Sequence, residues 1–585
     1  MPDTPSDALW RIVAFAVIML ISGRDRWWIV FVLYSIYRLT RTEMFNRIRQ
    51  TARRDLKAII VSAFRGLTLL LRVKLDCKRR LNANRPIHEV FLEQVRKHPQ
   101  KLACVEVETG RRVTYDEINR LMNKYANYYD SLGYRKGDVV ALFMENSIDF
   151  FALWLGLSKI GVVSAFINSN LKLEPLAYSI VSANCKCIIT TPTLKPTLNE
   201  AVSQGVLNID NKEVFVNEGV VEGAKTLSEE IKTVSDKEPV CRNVNFQDVL
   251  CYVYTSGTTG NPKPAVIKHF RYYFMAMGAG RSFGITEDDV VYITMPMYHS
   301  AAGIMGIGSL IVFGTSAVIR KKFSASNFWK DCVKFNCTAS QYIGEICRYL
   351  LAQKPCEEEK KHRVRLMWGN GLRAEIWNDF VSRFGIERIG ELYGSTEGNS
   401  NIGQVNIDNH VGSCGFFPIY PYIGGLYPIR LIKVDPETGE LVRDANGLCI
   451  PCRPGELGEM VGVIKNKDLL LKFEGYVNKG DTQKKIYRDV FEHGDQVGND
   501  FLAETAKRLM ANLASYAIPV FIRLCKEVDR TGTFKLKKID LQKQGFDLKL
   551  CKGDPLYYWN TAIKGYSLLD AQMQRDIETG AYNRL

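Results

Sequence analysis

Short apolar runs alternate with amphipathic stretches along the chain from about residue 86 onward. The runs at 137–143, 162–167 and 187–190 are rich in β-branched residues and predict buried strands. The stretches at 150–159 and 176–182 lie between these runs and predict helices. Alternation of strands and helices predicts an α/β fold, in which helices cover both faces of parallel sheets.

Two further parts of the chain have the same pattern. The segment 114–128 begins with Thr114 as a plausible N-cap and carries Glu117 at the capping-box position, which predicts a helix. A helix at 327–334 and a strand at 338–343 repeat the order. We find no internal sequence repeat and no low-complexity tract.

Two apolar runs near the N-terminus, at 12–21 and 27–37, are separated by the charged triplet Arg24-Asp25-Arg26. Neither run alone reaches the roughly 20 residues that a helix needs to cross a bilayer. Together they are long enough for one tilted span or a shallow hairpin, so we predict an N-terminal membrane segment at residues 1–41. No basic stretch precedes the first run, and a cleavable signal peptide is therefore not expected.

Residues 42–85 are basic and partly amphipathic. The stretch 58–71 is apolar at most positions and has basic flanks, which favours a helix lying in a membrane interface. A buried core helix is the alternative. Because basic residues follow the apolar runs, whereas Asp3 and Asp7 precede them, we expect the globular body on the cytosolic side.

The formal net charge of +15 is compatible with nucleic acid, an anionic membrane or anionic substrates as partners. Thirteen lysines and arginines fall between residues 38 and 80, beside the apolar runs. A membrane surface explains this arrangement better than DNA does. We therefore expect a membrane as a partner and no nucleic acid.

The 15 cysteines lack the dense, short spacings of a disulfide framework, which indicates reduced thiols in a cytosolic body. Cys449 and Cys452 form a C-x-x-C pair, but we find no second pair at a spacing that would complete a zinc site. A redox role is the alternative to a structural one. The surrounding segment is loop-like and rich in Gly and Pro, which favours the structural role.

The ten residues from Tyr254 to Lys263 read Tyr-Thr-Ser-Gly-Thr-Thr-Gly-Asn-Pro-Lys and follow a predicted strand at 249–253. Two glycines free the backbone, four aliphatic hydroxyls offer donors to anionic oxygens, and the lysine adds a positive charge. This combination suits a polyphosphate. The strict P-loop pattern fails, because Pro262 stands where its second glycine belongs. An ordinary polar surface loop is the alternative.

Three more motifs follow downstream. Met-Tyr-His-Ser-Ala-Ala-Gly at 297–303 follows a predicted strand at 290–294, and Trp-Gly-Asn-Gly-Leu-Arg at 368–373 follows a predicted strand at 365–367. Glu-Leu-Tyr-Gly-Ser-Thr-Glu-Gly-Asn occupies 391–399, and Thr-Gly-Thr-Phe-Lys occupies 531–535 near the C-terminus. The order of these motifs along the chain provides an independent test of the polyphosphate interpretation.

Taken in this order, the motifs resemble those of the adenylate-forming enzymes, which include acyl-CoA synthetases and luciferases. Tyr252-Val253 before the hydroxyl-rich loop is similar to one branch, the fatty acid transport proteins, also called very-long-chain acyl-CoA synthetases. The Cys-Ile-Pro-Cys of 449–452, followed by Pro-Gly-Glu, and the C-terminal stretch 545–558 resemble that branch as well.

The resemblance implies a role for individual residues. His299 would lie near the reacting carboxylate at the acyl tunnel, although a lone histidine after a strand is more often structural. Tyr393 would stack on adenine, Thr396 would hydrogen-bond the α-phosphate, and Glu397 would ligate Mg²⁺. Lys535 would be the lid lysine that stabilises the pentavalent phosphorus, and a solvated basic loop is its alternative.

The implied nucleotide-binding residues form two groups. The phosphate-binding hairpin, as the resemblance implies it, comprises Tyr252, Tyr254, Thr255, Ser256, Gly257, Thr258, Thr259, Gly260, Asn261, Pro262 and Lys263. The adenine slot and the turn beside it comprise Gly369, Asn370, Gly371, Leu372, Tyr393, Gly394, Ser395 and Thr396. The implied cofactors are ATP and Mg²⁺, with CoA as a co-substrate.

The resemblance also implies the domain organisation. A large multi-subdomain adenylate-forming body with parallel βα sheets would occupy residues 86–495. A small, truncated α+β C-terminal lid with a tail would occupy residues 501–585. The basic amphipathic region 42–85 and the membrane segment 1–41 would precede the body.

The chain departs from the family between Asp495 and Phe501, where only five residues intervene. Family members carry three features there: an aspartate that holds the ribose hydroxyls, an Asp-Arg hinge for the lid, and a branch motif rich in Trp, Lys, Gly, Glu and Asn. We do not interpret Gly494-Asp495 as the ribose aspartate, because no strand is predicted after it. The two lid conformations need that hinge, so we expect weaker nucleotide binding and little turnover.

Three functions are compatible with these patterns. The first is an ATP-dependent long-chain or very-long-chain fatty acid–CoA ligase that drives uptake by trapping the acyl group, in the endoplasmic reticulum or plasma membrane. The second is a membrane fatty acid transporter, which the one or two short apolar segments argue against. The third is a non-catalytic acyl- or nucleotide-binding variant, as the missing hinge segment allows.

Overall fold

The computed structural model describes residues 64–240, 243–256, 261–398, 402–406, 411–414, 429–435, 440–453, 456–465, 472–499, 521–523, 525, 544–551, 553–560 and 565–579. The chain divides into two compact units, residues 1–68 with 416–426 and residues 69–415 with 427–585. Of the first unit, the structure describes only the beginning of one helix. The predicted membrane segment 1–41 lies outside the described residues.

The strands of the described chain are numbered in chain order. They are β1 (Leu102–Glu106), β2 (Arg112–Thr114), β3 (Val139–Phe143), β4 (Val163–Phe166), β5 (Cys187–Thr190), β6 (Glu213–Val216), β7 (Lys225–Thr226), β8 (Val249–Ser256), β9 (Pro262–Lys268), β10 (Val290–Ile293), β11 (Ser316–Ile319), β12 (Ala339–Ile343), β13 (Leu366–Asn370), β14 (Arg388–Tyr393), β15 (Ile402–Asn406), β16 (Ile429–Lys433), β17 (Gly458–Val463), β18 (Ile486–Arg488), β19 (Gln496–Asn499), β20 (Phe521–Arg523), β21 (Leu556–Asn560) and β22 (Gly565–Leu568).

The helices are numbered in the same way. They are α1 (Phe64–Asn82), α2 (Ile87–Lys97), α3 (Tyr115–Ser131), α4 (Ile148–Lys159), α5 (Leu173–Ser182), α6 (Lys195–Ser203), α7 (Leu227–Glu230), α8 (His269–Phe283), a π-helix (Ala301–Gly306), α9 (Ile307–Phe313), α10 (Phe328–Lys334), α11 (Gly344–Leu351), α12 (Glu358–Lys361), α13 (Ala374–Phe384), α14 (Lys479–Gln483) and α15 (Ala571–Glu578).

Two large sheets form the body. One has eight strands in the order β15-β14-β13-β12-β10-β11-β1-β2, and the other has seven in the order β7-β6-β5-β3-β4-β8-β9. Neighbouring strands run parallel except at β14–β15, β1–β2 and β8–β9. This arrangement confirms the predicted α/β fold with parallel sheets.

The main hydrophobic core includes residues from both sheets and the helices packed on them. Helix α4 is buried along its whole length, as its nearly continuous apolar sequence requires. Its Trp154 side chain is tilted against Tyr272 of α8, with ring centroids 5.3 Å apart. The two helices are thereby packed together in the interior of the body.

Most predicted element boundaries agree with the structure within a few residues. Strand β5 spans the predicted 187–190, and helix α3 begins after Thr114 with the predicted capping box, in which Glu117 N–H donates to Thr114 Oγ1 at 3.2 Å. Strand β8 is longer than predicted, because it pairs with β9 in an antiparallel hairpin up to Ser256. The hydroxyl-rich motif therefore begins within a strand.

Two smaller sheets complete the described fold. An antiparallel sheet with the order β16-β17-β19-β18 follows the body, and an antiparallel sheet of β20, β21 and β22 lies near the C-terminus. Helix α1 continues past the predicted 58–71 to Asn82; it buries Val73 and Cys77, while Leu71 and Leu75 are 49% and 56% exposed. Among the described residues, no helix has the length and apolar composition that a membrane span requires.

Candidate active site

Three of the predicted motifs follow strands of the eight-stranded sheet and lie at the same edge. Strands β10, β12, β13 and β14 are parallel neighbours, so their carboxyl ends meet there. His299 follows β10, residues 371–372 follow β13, and residues 394–397 follow β14. The carboxyl edge of a parallel sheet is where α/β proteins generally bind ligands.

The predicted adenine slot lies at the end of β13, where its backbone is packed closely against that of the paired strand β12. A Cβ atom added at Gly369 would lie 1.9 Å from the carbonyl oxygen of Tyr342, and Gly371 adopts a φ of +81°. Both positions therefore require glycine. Asn370 is exposed and Leu372 is buried, so the Leu372 side chain anchors the segment at one end.

The side chain of Glu391, within β14, is hydrogen-bonded to the backbone of this slot. Its carboxylate accepts hydrogen bonds from the Gly371 and Leu372 N–H groups, the latter at 3.3 Å, and from the Tyr342 hydroxyl. We assigned this residue no role from the sequence. The sequence does contain one indication of this role, a glutamate within a predominantly apolar strand. A buried carboxylate needs hydrogen-bond donors around it, so such a position indicates a polar contact.

Burial raises the pKa of Glu391 to about 7, although the hydrogen bonds from Tyr342, Gly371 and Leu372 lower it. The carboxyl group therefore changes protonation near neutral pH. The two slot N–H groups donate to Oε1 and Tyr342 donates to Oε2, so a proton on Oε2 would compete with the Tyr342 bond and leave the acceptor for the slot backbone in place. The contribution of this carboxyl group to stability is thus sensitive to pH.

The turn after β14 carries two residues of the predicted phosphate and metal site, Thr396 and Glu397, and both are buried. The Thr396 hydroxyl lies 3.1 Å from Ser300 Oγ, at the beginning of the π-helix. Arg271 of α8 donates to the carbonyl oxygens of Thr396, at 2.9 Å, and of Gly398. Side-chain and main-chain contacts therefore fix this turn.

A segment that the sequence analysis did not identify crosses the site; we call residues 474–485 the strap. The strap pairs with β9, since Val477 N–H donates to Pro264 O and Val266 N–H donates to Gly475 O, both at 3.0 Å. The Tyr476 hydroxyl donates to Glu397 Oε1 at 2.7 Å. The strap thus extends the seven-stranded sheet and contacts the predicted metal ligand.

The hydroxyl-rich hairpin contacts the same strap. Thr255 Oγ1 donates to the Tyr476 hydroxyl oxygen at 3.4 Å, and Lys263 Nζ lies 2.8 Å from Asp481 Oδ1 in a largely buried ion pair. Lys485 Nζ lies 3.9 Å from Glu397 Oε1. Lys263 and Glu397 are therefore brought to one strap, although 134 positions of sequence separate them.

The other predicted residues are placed as follows. His299 is half-buried, and its Nδ1 accepts a hydrogen bond from Ala301 N–H at 3.3 Å. Tyr254 is buried, and its hydroxyl donates to the carbonyl oxygen of Ser179 in the core, while Tyr252 is half-buried. Residues 257–260, the Ser256 side chain and Lys535 lie outside the described residues.

The donor set at the turn suits a hard divalent cation that is shared with phosphate. Among the described residues, no group of three or more His, Cys, Asp and Glu side chains is arranged to chelate a metal ion. Glu397 is a buried carboxylate beside the Thr396 hydroxyl. Protein-bound Mg²⁺ commonly has one or two carboxylates and completes its shell with phosphate oxygens and water. The residues present fit such a shared site.

The C-x-x-C pair is not arranged as a reactive dithiol. Both cysteines are free thiols, and the Cys452 thiol donates to Leu457 O at 3.3 Å. Burial raises the pKa of Cys449 and of Cys452, which lowers the thiolate population. These contacts support the structural role.

The prediction that no strand follows Asp495 is wrong. Strand β19 begins at Gln496 and pairs with β17 and β18, so the reason for excluding Asp495 as a ribose ligand does not hold. Short strands with few apolar residues lack a clear pattern, which is why β19 was missed. The Asp495 carboxylate accepts from the N–H groups of Val490, Phe491 and Glu492 at 2.7, 2.8 and 3.3 Å.

Comparison with known proteins agrees with this geometry. Residues 91–462 match the family described as AMP-binding enzyme. The chain is 37% identical to human long-chain fatty acid transport protein 1 over 99% of each chain, and 34% identical to rat long-chain fatty acid transport protein 2 over 82% of this chain and 89% of the relative. The alignment with the human protein has 658 positions, which is 73 more than the number of residues in this chain. At least 73 residues of the human protein are therefore aligned with gaps in this chain.

Solved structures share the fold at low sequence identity. The anthranilate CoA ligase AuaEII in complex with anthranoyl-AMP has a TM-score of 0.63 at 18% identity, covering 78% of this chain and 96% of its own. A benzoate CoA ligase from Burkholderia xenovorans LB400 has a TM-score of 0.59 at 17% identity, covering 78% and 99%. The resemblance read from the motifs is confirmed: the chain belongs to the AMP-binding enzyme family, in the branch of the long-chain fatty acid transport proteins.

Proposed function

We propose that this protein is an AMP-forming ligase that joins long-chain or very-long-chain fatty acids to CoA. In the first step the fatty carboxylate attacks the α-phosphorus of ATP, which forms an acyl-adenylate and releases pyrophosphate. In the second step the CoA thiol loses its proton and attacks the acyl carbon, which gives the thioester and AMP. The names of the relatives support the substrate class, and the two CoA ligases of similar fold support the reaction.

The observation that carries the proposal is the hydrogen-bonded path from Thr255 through Tyr476 to Glu397. This path connects the hydroxyl-rich hairpin of one sheet with an acidic side chain at the carboxyl edge of the other. A polyphosphate with its divalent cation needs hydrogen-bond donors and a hard anionic oxygen close together. The path supports placing both at one site.

Each part of the edge has a role in this proposal. Adenine lies between the slot of residues 369–372 and Tyr393, and the Thr396 hydroxyl hydrogen-bonds the α-phosphate. Glu397 would hold Mg²⁺, which would supply positive charge to the phosphate oxygens. The contact of Ser300 with Thr396 supports placing the fatty carboxylate, beside His299, close to the α-phosphate.

Lys263 belongs to the phosphate-binding group, and a residue of the strap competes with phosphate for its ammonium group. Its ammonium is paired with Asp481 of the strap. A bound polyphosphate competes with Asp481 for this ammonium. The hairpin residues 257–260 supply glycine flexibility and hydroxyl donors to the same phosphates.

Uptake follows from the reaction by trapping, because a CoA thioester is too polar to leave through a bilayer. The basic and apolar composition of residues 1–85 supports a membrane-attached protein with its body in the cytosol, at the endoplasmic reticulum or the plasma membrane. The exposed Leu71 and Leu75, beside the basic residues of α1, support contact of this helix with the interface.

Turnover by this chain is low in our proposal. The 73 additional alignment positions support the absence of a segment that relatives carry, and the sequence places such a segment between Asp495 and Phe501. The lid hinge would lie there. Asp495 is a candidate ribose ligand, because strand β19 follows it.

Fatty-acid-dependent exchange of pyrophosphate into ATP tests the proposal. We expect slow but measurable exchange by the purified full chain, lost in Glu397→Ala and reduced in Lys535→Ala. Exchange as fast as in a relative would contradict the proposed low turnover. No exchange, together with no binding of ATP, would contradict the ligase itself and favour an acyl-binding variant.

Uptake by cells separates the ligase from a transporter. We expect uptake of a labelled long-chain fatty acid to fall together with acyl-CoA formation in both variants. Uptake that survives Glu397→Ala and Lys535→Ala unchanged would favour transport without catalysis.

A further inference from the structure

Arg271 lies in the first turn of α8, immediately after the hairpin strand β9, and only 6% of it is exposed. A guanidinium group in the interior is tolerated when acceptors surround it in a fixed geometry. Arg271 has such acceptors at the turn after β14. No motif identified in the sequence includes this arginine.

The guanidinium group holds the main chain on both sides of Glu397. Its Nη2 donates to the carbonyl oxygen of Thr396 at 2.9 Å and to that of Gly398. The side chains of Thr396 and Glu397 are held separately, by Ser300 and by Tyr476. Arg271 therefore fixes the backbone from which the predicted metal ligand projects.

We propose that Arg271 is a positioning residue for the Mg²⁺ site, because it sets the direction of the Glu397 carboxylate through the two flanking carbonyls. This inference rests on the proposed function of Glu397. Residues that orient a metal ligand typically change metal affinity tenfold to a hundredfold when they are replaced. Arg271 does not itself touch the reacting atoms.

The neighbours of Arg271 make a clean test feasible. The Tyr272 hydroxyl donates to Gly303 O at 2.7 Å, and the Tyr273 hydroxyl donates to Asp76. Helix α8 is thus anchored on two other sides by the next two residues. A variant at position 271 is expected to keep the helix in place.

The variants are Arg271→Met, which removes both hydrogen bonds, and Arg271→Lys, which keeps the charge without the planar fork. Arg281→Met is the matched control, since it removes an arginine from the last turn of the same helix, where the guanidinium Nε donates to Met277 Sδ, one turn earlier, at 2.8 Å. Calorimetry measures the dissociation constant of a non-hydrolysable ATP analogue with Mg²⁺ and with EDTA, and thermal unfolding is recorded in parallel.

We expect the Mg²⁺-dependent gain in affinity to fall at least about tenfold in Arg271→Met and less in Arg271→Lys, with affinity in EDTA unchanged. Arg281→Met retains the full gain. An unchanged gain in Arg271→Met, or an equal loss with and without Mg²⁺, would overturn the assignment of Arg271. Should Arg271→Met fail to fold, Arg271→Lys is compared with Arg281→Met instead. A smaller Mg²⁺-dependent gain in Arg271→Lys then supports the assignment, and an unchanged gain overturns it.

A further outcome concerns the proposed function. If the unmodified protein binds the analogue equally well with Mg²⁺ and with EDTA, Glu397 is not a metal ligand, and both proposals fall together. If the unmodified protein shows the gain and the Arg271 variants keep it, only the positioning role is refuted.

Discussion

The hydroxyl of Tyr476 donates a hydrogen bond to Glu397 Oε1 at 2.7 Å. The bond joins a strap on the seven-stranded sheet to the turn that follows β14 of the eight-stranded sheet. Tyr476 also accepts from Thr255 at 3.4 Å, so it touches both halves of the candidate site. Burial, with the nearby Glu397 charge, raises the pKa of Tyr476, and the phenol remains a donor throughout the physiological range.

Replacing Tyr476 with Phe tests the importance of this bond. The ring remains packed, whereas the bond to the carboxylate is lost, which costs about 1.5–3 kcal/mol for a charged acceptor. We expect a lower melting temperature and weaker Mg²⁺-dependent nucleotide binding. Tyr487→Phe removes another phenol that donates to a carboxylate, Glu459, and serves as the control. Equal nucleotide affinity in both variants would refute a role of Tyr476 in the site.

Replacing Asp481 with Asn tests the competition for Lys263. The ion pair at 2.8 Å is largely buried, so its loss lowers stability by about 1.5–3 kcal/mol. The freed ammonium is then available to phosphate, and we expect ATP to bind several-fold more tightly in Asp481→Asn. AMP, which lacks the outer phosphates, provides the comparison. An equal change for ATP and AMP would show that Lys263 does not serve the outer phosphates.

Replacing Glu391 with Gln tests the pH sensitivity of the slot. The folded protein has a Glu391 pKa of about 7, above the value of about 4.5 in an unfolded chain. Folding therefore favours the neutral form, and this contribution to stability is complete below about pH 4.5 and is lost as the pH rises through about 7. A glutamine is neutral at every pH, so a protein with glutamine at this position does not lose stability in this way.

We therefore expect Glu391→Gln to gain melting temperature relative to the unmodified protein as the pH rises from about 5 to about 7, with the difference constant at higher pH. Thermal unfolding across this range measures it. Glu459→Gln is a useful comparison, because burial also raises the pKa of Glu459, outside the slot. A difference that does not vary with pH in Glu391→Gln would contradict the raised pKa.

Asp495 offers a test of ribose recognition. Its carboxylate accepts three N–H bonds from its own turn, so Asp495→Asn is expected to destabilise the small sheet as well. The informative quantity is the preference for ATP over an analogue without the 2′ and 3′ hydroxyls. We expect the unmodified protein to have this preference and Asp495→Asn to lack it. A preference that persists in the variant would confine Asp495 to capping the turn.

The sequence predicts the parts of this fold that depend on local patterns. Strand β5 has only apolar and β-branched residues, and helix α3 has the Thr114–Glu117 capping box, so both were located within a few residues. The order of motifs along parallel strands also places them at one edge. These features need only periodicity, caps and the geometry of parallel sheets.

The contacts between distant segments could not be predicted in this way. Tyr476 lies 79 residues from Glu397, and Asp481 lies 218 residues from Lys263. Nothing in the local pattern of the strap specifies that it pairs with β9. The π-helix at Ala301–Gly306 was also missed, because its register depends on packing of the surrounding helices rather than on sequence period.

The central claim is that one nucleotide site joins the hydroxyl-rich hairpin, the adenine slot and the Glu397 turn. A crystal structure of the full chain with an acyl-sulfamoyl adenosine, a stable mimic of the acyl-adenylate, tests it most directly. We predict adenine between residues 369–372 and Tyr393, and the sulfamoyl group within hydrogen-bond distance of Thr396. A mimic bound elsewhere, with the slot and the turn untouched, would contradict the account.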